Sequence, residues 1–144
     1  MAEEKPVIAL DTNVLVRYLV NDDPAQADIA DDLMNHPGGV FIAKTTLLEL
    51  EWVLRHAYKI DESAVRTGLK NLLGLPNVTV ESAAHVGQAM QDFARGMDFA
   101  DALHLASVDG GAKLYTFDRR FAKLGTAERV ILASRTARKG KSHS

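Results

Sequence analysis

The amino-acid sequence predicts an α/β protein in which a central parallel sheet of four to five short strands is covered by helices on both faces. Short apolar runs, several of them rich in Val and Ile, alternate with longer segments whose apolar residues have helical spacing. This alternation is typical of the right-handed crossovers that join parallel strands. In such folds ligands bind at the carboxyl ends of the strands, so residues at those positions are candidates for a functional site.

The first half of the chain contains two predicted strands and four predicted helices. Asp23 followed by Pro24 is typical of an N-cap and the first helical position, so a helix is expected from there to about Met34. Asp61 has the same role for the fourth helix, which ends near Gly74. In order, the predicted elements are a strand at 7–10, helices at 13–20 and 24–34, a strand at 40–43, a helix at 45–58 and the helix after Asp61.

The second half continues the alternation with three predicted strands. In order, the elements are a strand at 78–80, a helix from Ser82 to about 95, a helix from Asp98 to about 108, a strand at 113–116, a helical turn at 119–123 and a strand at 129–132. Residues 1–132 are therefore predicted to form one domain. Residues 133–144 are basic and small, and we expect them to form a disordered tail because they cannot contribute to a core.

Composition narrows the classes of function. The chain has 144 residues, of which 47% are hydrophobic and 25% charged, as in an ordinary globular domain. It has no cysteine, which excludes disulfides and thiolate zinc sites, and its five histidines include no close ligand pair.

No apolar run approaches the roughly 18 residues of a membrane span. The acidic N-terminus lacks a signal-peptide pattern, so a cytoplasmic protein is expected. The net charge of −2 neither indicates nor excludes a nucleic-acid partner.

Two aspartates follow predicted strands. Asp11 comes directly after the first strand, and Asp118 follows the strand at 113–116 by one residue. Each lies where a helix begins, and Asp is a favoured N-cap residue. Capping and chemistry are compatible at this position, because the same rim of the sheet holds the active sites of α/β proteins.

Glu49 lies in a strongly apolar predicted helix and lacks an ion-pair partner in sequence. The residues three and four positions away are Thr45, Thr46, Trp52 and Val53. A carboxylate on such a helix either faces water at the helix edge or needs a partner. The neighbouring acid differs, since Glu51 has Arg55 four residues later and is expected to form a solvated ion pair.

Asp98 and Asp101 are three residues apart at the start of a predicted helix. Asp98 is interpreted as the N-cap, and Asp101 then lies in the first turn, where the helix dipole favours an acid. Carboxylates that converge on one rim would repel each other, and a hard cation relieves that repulsion most simply. Oxygen ligands without cysteine or paired histidine suit Mg²⁺ or Mn²⁺. Enzymes that hydrolyse phosphodiester bonds commonly use such ions.

Four stretches, in order, resemble the motifs of PIN-domain nucleases, and particularly of VapC-type toxins from toxin–antitoxin pairs. They are Leu10–Leu19, Leu48–Leu54, Asp98–Leu103 and Tyr115–Arg119. The resemblance extends from about Val7 to about Val130. It implies a PIN-like three-layer α/β/α fold and an Mg²⁺-dependent endoribonuclease that acts as the toxin of such a pair.

The resemblance also implies roles for individual residues and partners. The catalytic and metal-binding quartet would be Asp11, Glu49, Asp101 and Asp118, with Asn13 and Thr116 as supporting polar groups. The implied partners are an RNA substrate, a cognate antitoxin protein and a second copy of the chain in a homodimer. For the dimer we expect the helices between Asp23 and Leu54 to form the interface, with Leu33, Leu47, Leu54 and Tyr58 as candidate contacts.

Candidate RNA contacts follow from charge and aromatic character. Rim cations that could neutralise phosphates include Arg17, Lys44 and Arg119, although each also fits a solvated surface charge. Trp52, Tyr18 and Phe41 could stack on bases, but aromatic residues at this spacing are more often part of a core.

Alternatives to the toxin assignment remain open at this point. One is a PIN-like RNA-processing nuclease without an antitoxin, and another is a non-catalytic metal-binding or interaction module whose acids cap helices. A phosphatase of the aspartyl-phosphate type would need a second Asp at position 13, where this chain has Asn. A phospho-acceptor receiver domain would need an acid pair at the end of the first strand, where Asp11 stands alone.

Overall fold

The structure, a computed structural model, describes residues 5–135. The part of the predicted tail from residue 136 onward lies outside the described residues. The strands are β1 (Ile8–Ala9), β2 (Val40–Ile42), β3 (Val78–Val80), β4 (Leu114–Thr116) and β5 (Val130–Leu132). The helices are α1 (Thr12–Val20), α2 (Pro24–Met34), α3 (Lys44–Trp52), α4 (Glu62–Leu73), α5 (Ala83–Ala94), α6 (Phe99–Ala106) and α7 (Arg119–Gly125). Every predicted strand and helix is therefore present, and the α/β class is confirmed.

The strand pairings among the described residues are all parallel. β1, β2 and β3 form a three-stranded sheet in that order, and β4 pairs with β5 in a two-stranded sheet. The sequence predicts one sheet, whereas the hydrogen-bonded ladders are divided in two. The strands are only two or three residues long, so each pair contributes few ladder hydrogen bonds.

The chain divides into two compact units, Met1–Val86 and Gly87–Ser144, with the division inside α5. The first unit is built from the three-stranded sheet and the helices up to α4. Leu47 and Leu50 of α3, and Leu54 in the turn directly after it, are buried in the core, a spacing that places all three on one helix face. The expectation that Leu47 and Leu54 contact a second copy is therefore wrong, because both side chains are buried within the unit.

Helix α3 passes directly into a π-helical turn at Val53–Ala57. Such turns are rare, and within helices they are frequent at functional sites. The predicted helix at 45–58 is thus correct in extent. Its last turn is π-helical rather than α-helical, which the spacing of apolar residues could not predict. Trp52, the last residue of α3, is 56% exposed, which contradicts the expectation that it belongs to the core. Its ring lies 4.9 Å from that of His56.

The second unit has its own core and a buried charged group. Phe93 and Phe99 pack with their ring centroids 5.2 Å apart, and Phe121 and Val130 are also buried. Gly125 ends α7 in close contact with Val130, where a side chain would collide with the Val130 methyl group. These contacts connect α7 to β5 and define the position of the helix that follows β4.

Asp92 is fully buried in α5 of the second unit. Its carboxylate accepts hydrogen bonds from Arg95 at 2.8 Å and from Arg129 at 2.9 Å. Arg95 also donates to the carbonyl of Leu124, at the end of α7. The ion pairs satisfy the buried charge and join α5 to the residue that precedes β5.

No helix among residues 5–135 is long and apolar enough to cross a membrane.

Candidate active site

Asp11 lies two residues after the end of β1 and caps α1. Its Oδ1 accepts a hydrogen bond from the backbone N–H of Thr12 at 2.9 Å, and its carbonyl accepts from Val14 at 3.1 Å. The side chain is exposed at the carboxyl end of the parallel strand. The position of Asp11 therefore fits both a helix cap and an active-site residue. Helix α1 begins at Thr12, one residue earlier than the apolar spacing predicts.

Thr12 connects two of the predicted acids. It is 5% exposed, and its Oγ1 donates a hydrogen bond to Oε1 of Glu49. Its backbone N–H donates to Asp11, so one residue holds a carboxylate on each side. Sequence reasoning did not single out Thr12. A signal was present, because Thr12 has helical spacing to the buried Leu15 and Val16 and so shares the core-facing stripe of α1.

Glu49 and Glu51 have opposite environments. Glu49 is exposed, as one of the two alternatives from sequence requires, and it is oriented by Thr12 rather than by a basic residue. Glu51 is 1% exposed, so the predicted solvated ion pair is wrong. Arg55 does pair with it, and the half-buried guanidinium satisfies the buried carboxylate. The spacing of Glu51 to Leu47 and Leu54 places it on the buried stripe of α3.

The second unit brings three aspartates into electrostatic proximity. Asp98 caps α6, as predicted, by accepting a hydrogen bond from the backbone N–H of Asp101 at 3.3 Å. Asp101 is half-buried in the first turn. Its pKa is raised above the ordinary value, first by burial and then by the negative charges of Asp98 and Asp118, while His104 opposes the shift. This position therefore carries an excess of negative charge.

Asp118 occupies the same kind of position as Asp11. It lies two residues after the end of β4 and caps α7, where its Oδ1 accepts a hydrogen bond from the N–H of Phe121 at 2.9 Å. Its own N–H donates to Oγ1 of Thr116 at 3.0 Å. The side chain of Thr116, expected as a supporting polar group, thus contacts the backbone of Asp118.

The expected RNA-binding cations differ in their contacts. Arg17 donates to Gln26 at 2.6 Å and to both Asp22 and Tyr58 at 2.8 Å, so its guanidinium joins α1 to neighbouring segments of the first unit. The backbone N–H of Lys44 donates to Glu81 at the start of α3. Arg119 is the first residue of α7 and its side chain is exposed.

Asn13 is exposed next to Thr12 and faces a cavity rather than an acid in the contacts that the structure describes. The cavity has a volume of about 320 Å³ and lies between α1 and α2. Its lining is Asn13, Val14, Arg17, Gln26, Ile29, Ala30 and Leu33. Of the dimer contacts expected from sequence, Leu33 lies here and is half-buried.

The arrangement offers two carboxylate pairs for a metal ion, Asp11 with Glu49 in the first unit and Asp101 with Asp118 in the second. Among residues 5–135, no group of three or more His, Cys, Asp or Glu side chains is arranged to hold a metal ion. What the two pairs share is their chemistry, since all four provide carboxylate oxygens and all but Glu49 lie beside or within a helix start.

Comparison with known proteins identifies one family. A sequence model of the PIN domain matches residues 8–127, a range that begins at β1, ends just after α7 and contains all four acids. No curated protein matches the chain.

Proposed function

Because the chain belongs to the PIN domain family, whose members are generally nucleases, we propose that it is a divalent-metal-dependent endoribonuclease. The observation that carries the proposal is the bridge at Thr12. Thr12, the first residue of the helix that follows β1, holds the carboxylates of Asp11 and Glu49, which are far apart in sequence, near the carboxyl end of a parallel strand. Glu49 lies inside α3 rather than at a helix start, so capping does not explain why a buried hydroxyl orients its exposed carboxylate.

The residues fit a hard divalent cation by their chemistry. PIN domains typically use divalent metal ions, and the four acids supply only oxygen ligands, which suit Mg²⁺ or Mn²⁺. The pKa of Asp101 is raised first by burial and then by the negative charges of Asp98 and Asp118, and a cation would relieve that charge. As the resemblance to PIN-domain nucleases implies, the acids that would bind metal are Asp11 and Glu49 in the first unit and Asp101 and Asp118 in the second. When bound, the ion lowers the pKa of a coordinated water and stabilises charge on the phosphodiester oxygens.

One hydroxyl and two backbone N–H groups of the protein hold these oxygens in place. Thr12 restricts the Glu49 carboxylate through its hydroxyl, and the N–H groups of Thr12 and Phe121 restrict those of Asp11 and Asp118. Water adds to the phosphorus atom and the 3′ oxygen leaves with a proton. The products therefore carry 5′-phosphate and 3′-hydroxyl ends. The exposed Arg119, beside Asp118, would offset the charge of the RNA backbone.

We propose further that the chain is the toxin of a toxin–antitoxin pair, acting in the cytoplasm as a homodimer and inhibited by its antitoxin. The support is the resemblance of its four ordered motifs to VapC-type toxins. Induced expression of the wild-type chain should then arrest growth, and Asp11→Asn should not. Nuclease activity in vitro without growth arrest would favour an RNA-processing nuclease that has no antitoxin.

The nuclease proposal is tested with purified protein and RNA in Mg²⁺ and in excess EDTA. We expect the wild type to cleave only with Mg²⁺, and Asp11→Asn and Asp101→Asn to be inactive under both conditions. Equal cleavage in all samples would indicate a contaminating nuclease and would refute the assignment. No cleavage in any sample would favour a non-catalytic module.

A further inference from the structure

Phe117 is the most exposed large hydrophobic side chain of the described residues. It is 86% exposed, compared with 61% for Ile29 and 56% for Trp52. It directly precedes Asp118, one of the four acids of the proposed site. A phenyl ring left in water is unfavourable, and an exposed apolar group beside functional residues is a candidate contact for a ligand.

The backbone on both sides of Phe117 is fixed by hydrogen bonds. The carbonyl of Thr116 accepts from Ala133 at 2.6 Å, and Oγ1 of Thr116 accepts from the N–H of Asp118 at 3.0 Å. Asp118 is in turn fixed as the cap of α7. Only the two side-chain torsions of Phe117 remain to be ordered, so a ligand can use the ring at a small cost in entropy.

The neighbours of Phe117 favour a nucleotide as the ligand. Asp118 and Arg119 follow it directly, and both side chains are exposed. An aromatic face beside an exposed guanidinium offers stacking for a base and charge for a phosphate, which is the usual combination in single-stranded RNA recognition. An apolar protein partner would instead have to bury these two charges beside the ring.

We propose that Phe117 stacks on a nucleobase of the RNA and thereby positions the strand beside Asp118. This inference rests on the proposed nuclease function. Stacking requires an aromatic face rather than apolar area alone, and that difference separates Phe117→Leu from Phe117→Tyr. Both variants should keep the melting temperature of the wild type, because the side chain is exposed.

The first experiment measures KM and kcat for cleavage of single-stranded RNA. Phe117→Leu should raise KM about 10-fold, within the range expected for loss of one stacked base, while Phe117→Tyr should stay within about 3-fold of the wild type. Val7→Ala is the matched control, since it removes exposed apolar area that precedes β1, at the amino end of the strand, whereas Asp11 follows its carboxyl end. Active enzyme with equal KM in Phe117→Leu and wild type would overturn the stacking role and leave the nuclease assignment intact.

The second experiment does not depend on cleavage. The chain has a single tryptophan, so Phe117→Trp in a Trp52→Phe background places one fluorophore at the proposed stacking position. In EDTA, a single-stranded oligoadenylate should quench its fluorescence, and an abasic oligomer of equal charge should not. Quenching without cleavage in Mg²⁺ would refute the nuclease proposal and retain the stacking surface.

The same variants distinguish RNA from a protein interface. Equal responses to the oligoadenylate and the abasic oligomer would overturn the inference. So would a concentration-dependent dimer mass that Phe117→Leu abolishes while RNA affinity stays unchanged, because the ring would then serve contact between copies.

Discussion

Thr12 and Glu49, 37 residues apart in the chain, are joined by a hydrogen bond in which the threonine hydroxyl donates to the glutamate carboxylate. The bond connects the start of α1 to α3 within the first unit. Because Thr12 is buried and Glu49 is exposed, the buried hydroxyl orients the exposed carboxylate. The same threonine holds Asp11 through its backbone, so the two acids are positioned by one residue.

Thr12→Val removes this hydroxyl while keeping the shape of the side chain. We expect nuclease activity to fall about 10- to 100-fold, as when a group that orients a metal ligand is lost. The free energy of unfolding should change by about 1 kcal/mol or less, because water can replace the hydroxyl at the exposed Glu49. Thr12→Ser is the matched control and should keep most activity. Equal activity of Thr12→Val and Thr12→Ser would show that the bond has no role in the reaction.

Substitutions at Asp11 separate capping from chemistry. Asn caps helices about as well as Asp, so Asp11→Asn should change the free energy of unfolding by less than about 0.5 kcal/mol, whereas Asp11→Ala should lose about 1 kcal/mol. Both should lower cleavage at least about 100-fold, because both remove the charge proposed to hold the metal. Urea unfolding and RNA cleavage measure the two effects. Full activity in Asp11→Asn would leave Asp11 as a cap alone.

The pH dependence of stability tests the environment of Asp101. Burial and the nearby Asp98 and Asp118 raise its pKa in the folded protein, so the folded state favours the protonated form. The stabilisation from that protonation is fully present below the unfolded pKa of about 3.9 and is lost as pH rises through the folded pKa.

Asp101→Asn stays neutral at every pH and so lacks this titration. In EDTA, we expect the free energy of unfolding of the wild type to fall relative to that of Asp101→Asn between about pH 3 and about pH 7. Chemical unfolding of both proteins across this range is the measurement. A difference that stays constant, or that changes in the opposite direction, would contradict the raised pKa.

The buried Asp92 predicts a large effect on stability in the second unit. Arg129→Met leaves the fully buried carboxylate with Arg95 as its remaining ion-pair partner and should cost about 3 kcal/mol. Glu62→Gln is the control, because it breaks the exposed pair with Arg66 at 3.6 Å and should cost less than about 1 kcal/mol. Equal costs in urea unfolding would show that burial of Asp92 does not determine the strength of the pair.

Local signals predicted most of the fold. The caps at Asp23, Asp61 and Asp98 are confirmed, because a capping side chain satisfies N–H groups of its own helix and needs no distant partner. Strand positions are likewise confirmed to within a few residues, since short apolar runs between helices have few other places to pack.

What the sequence left open depends on contacts between distant segments. On α3 the acids Glu49 and Glu51 lie on different faces, and spacing alone does not say which face packs against the core. The structure buries Glu51 with Arg55 and exposes Glu49. The role of Thr12 was missed for the same reason, because its partner is 37 residues away. The π-helical turn after α3 has no signal in apolar spacing.

The most direct test is whether Glu49 and Asp118 are both required for metal-dependent cleavage. Glu49→Gln, Asp118→Asn and the double variant are compared for RNA cleavage in Mg²⁺. Each single variant keeps a hydrogen-bonding group for Thr12 or for the cap of α7. We predict that each single variant loses at least about 100-fold in kcat/KM and that the double variant loses little more, because residues that act as a unit have non-additive effects. Activity near that of the wild type in either single variant would contradict the catalytic role proposed for that acid.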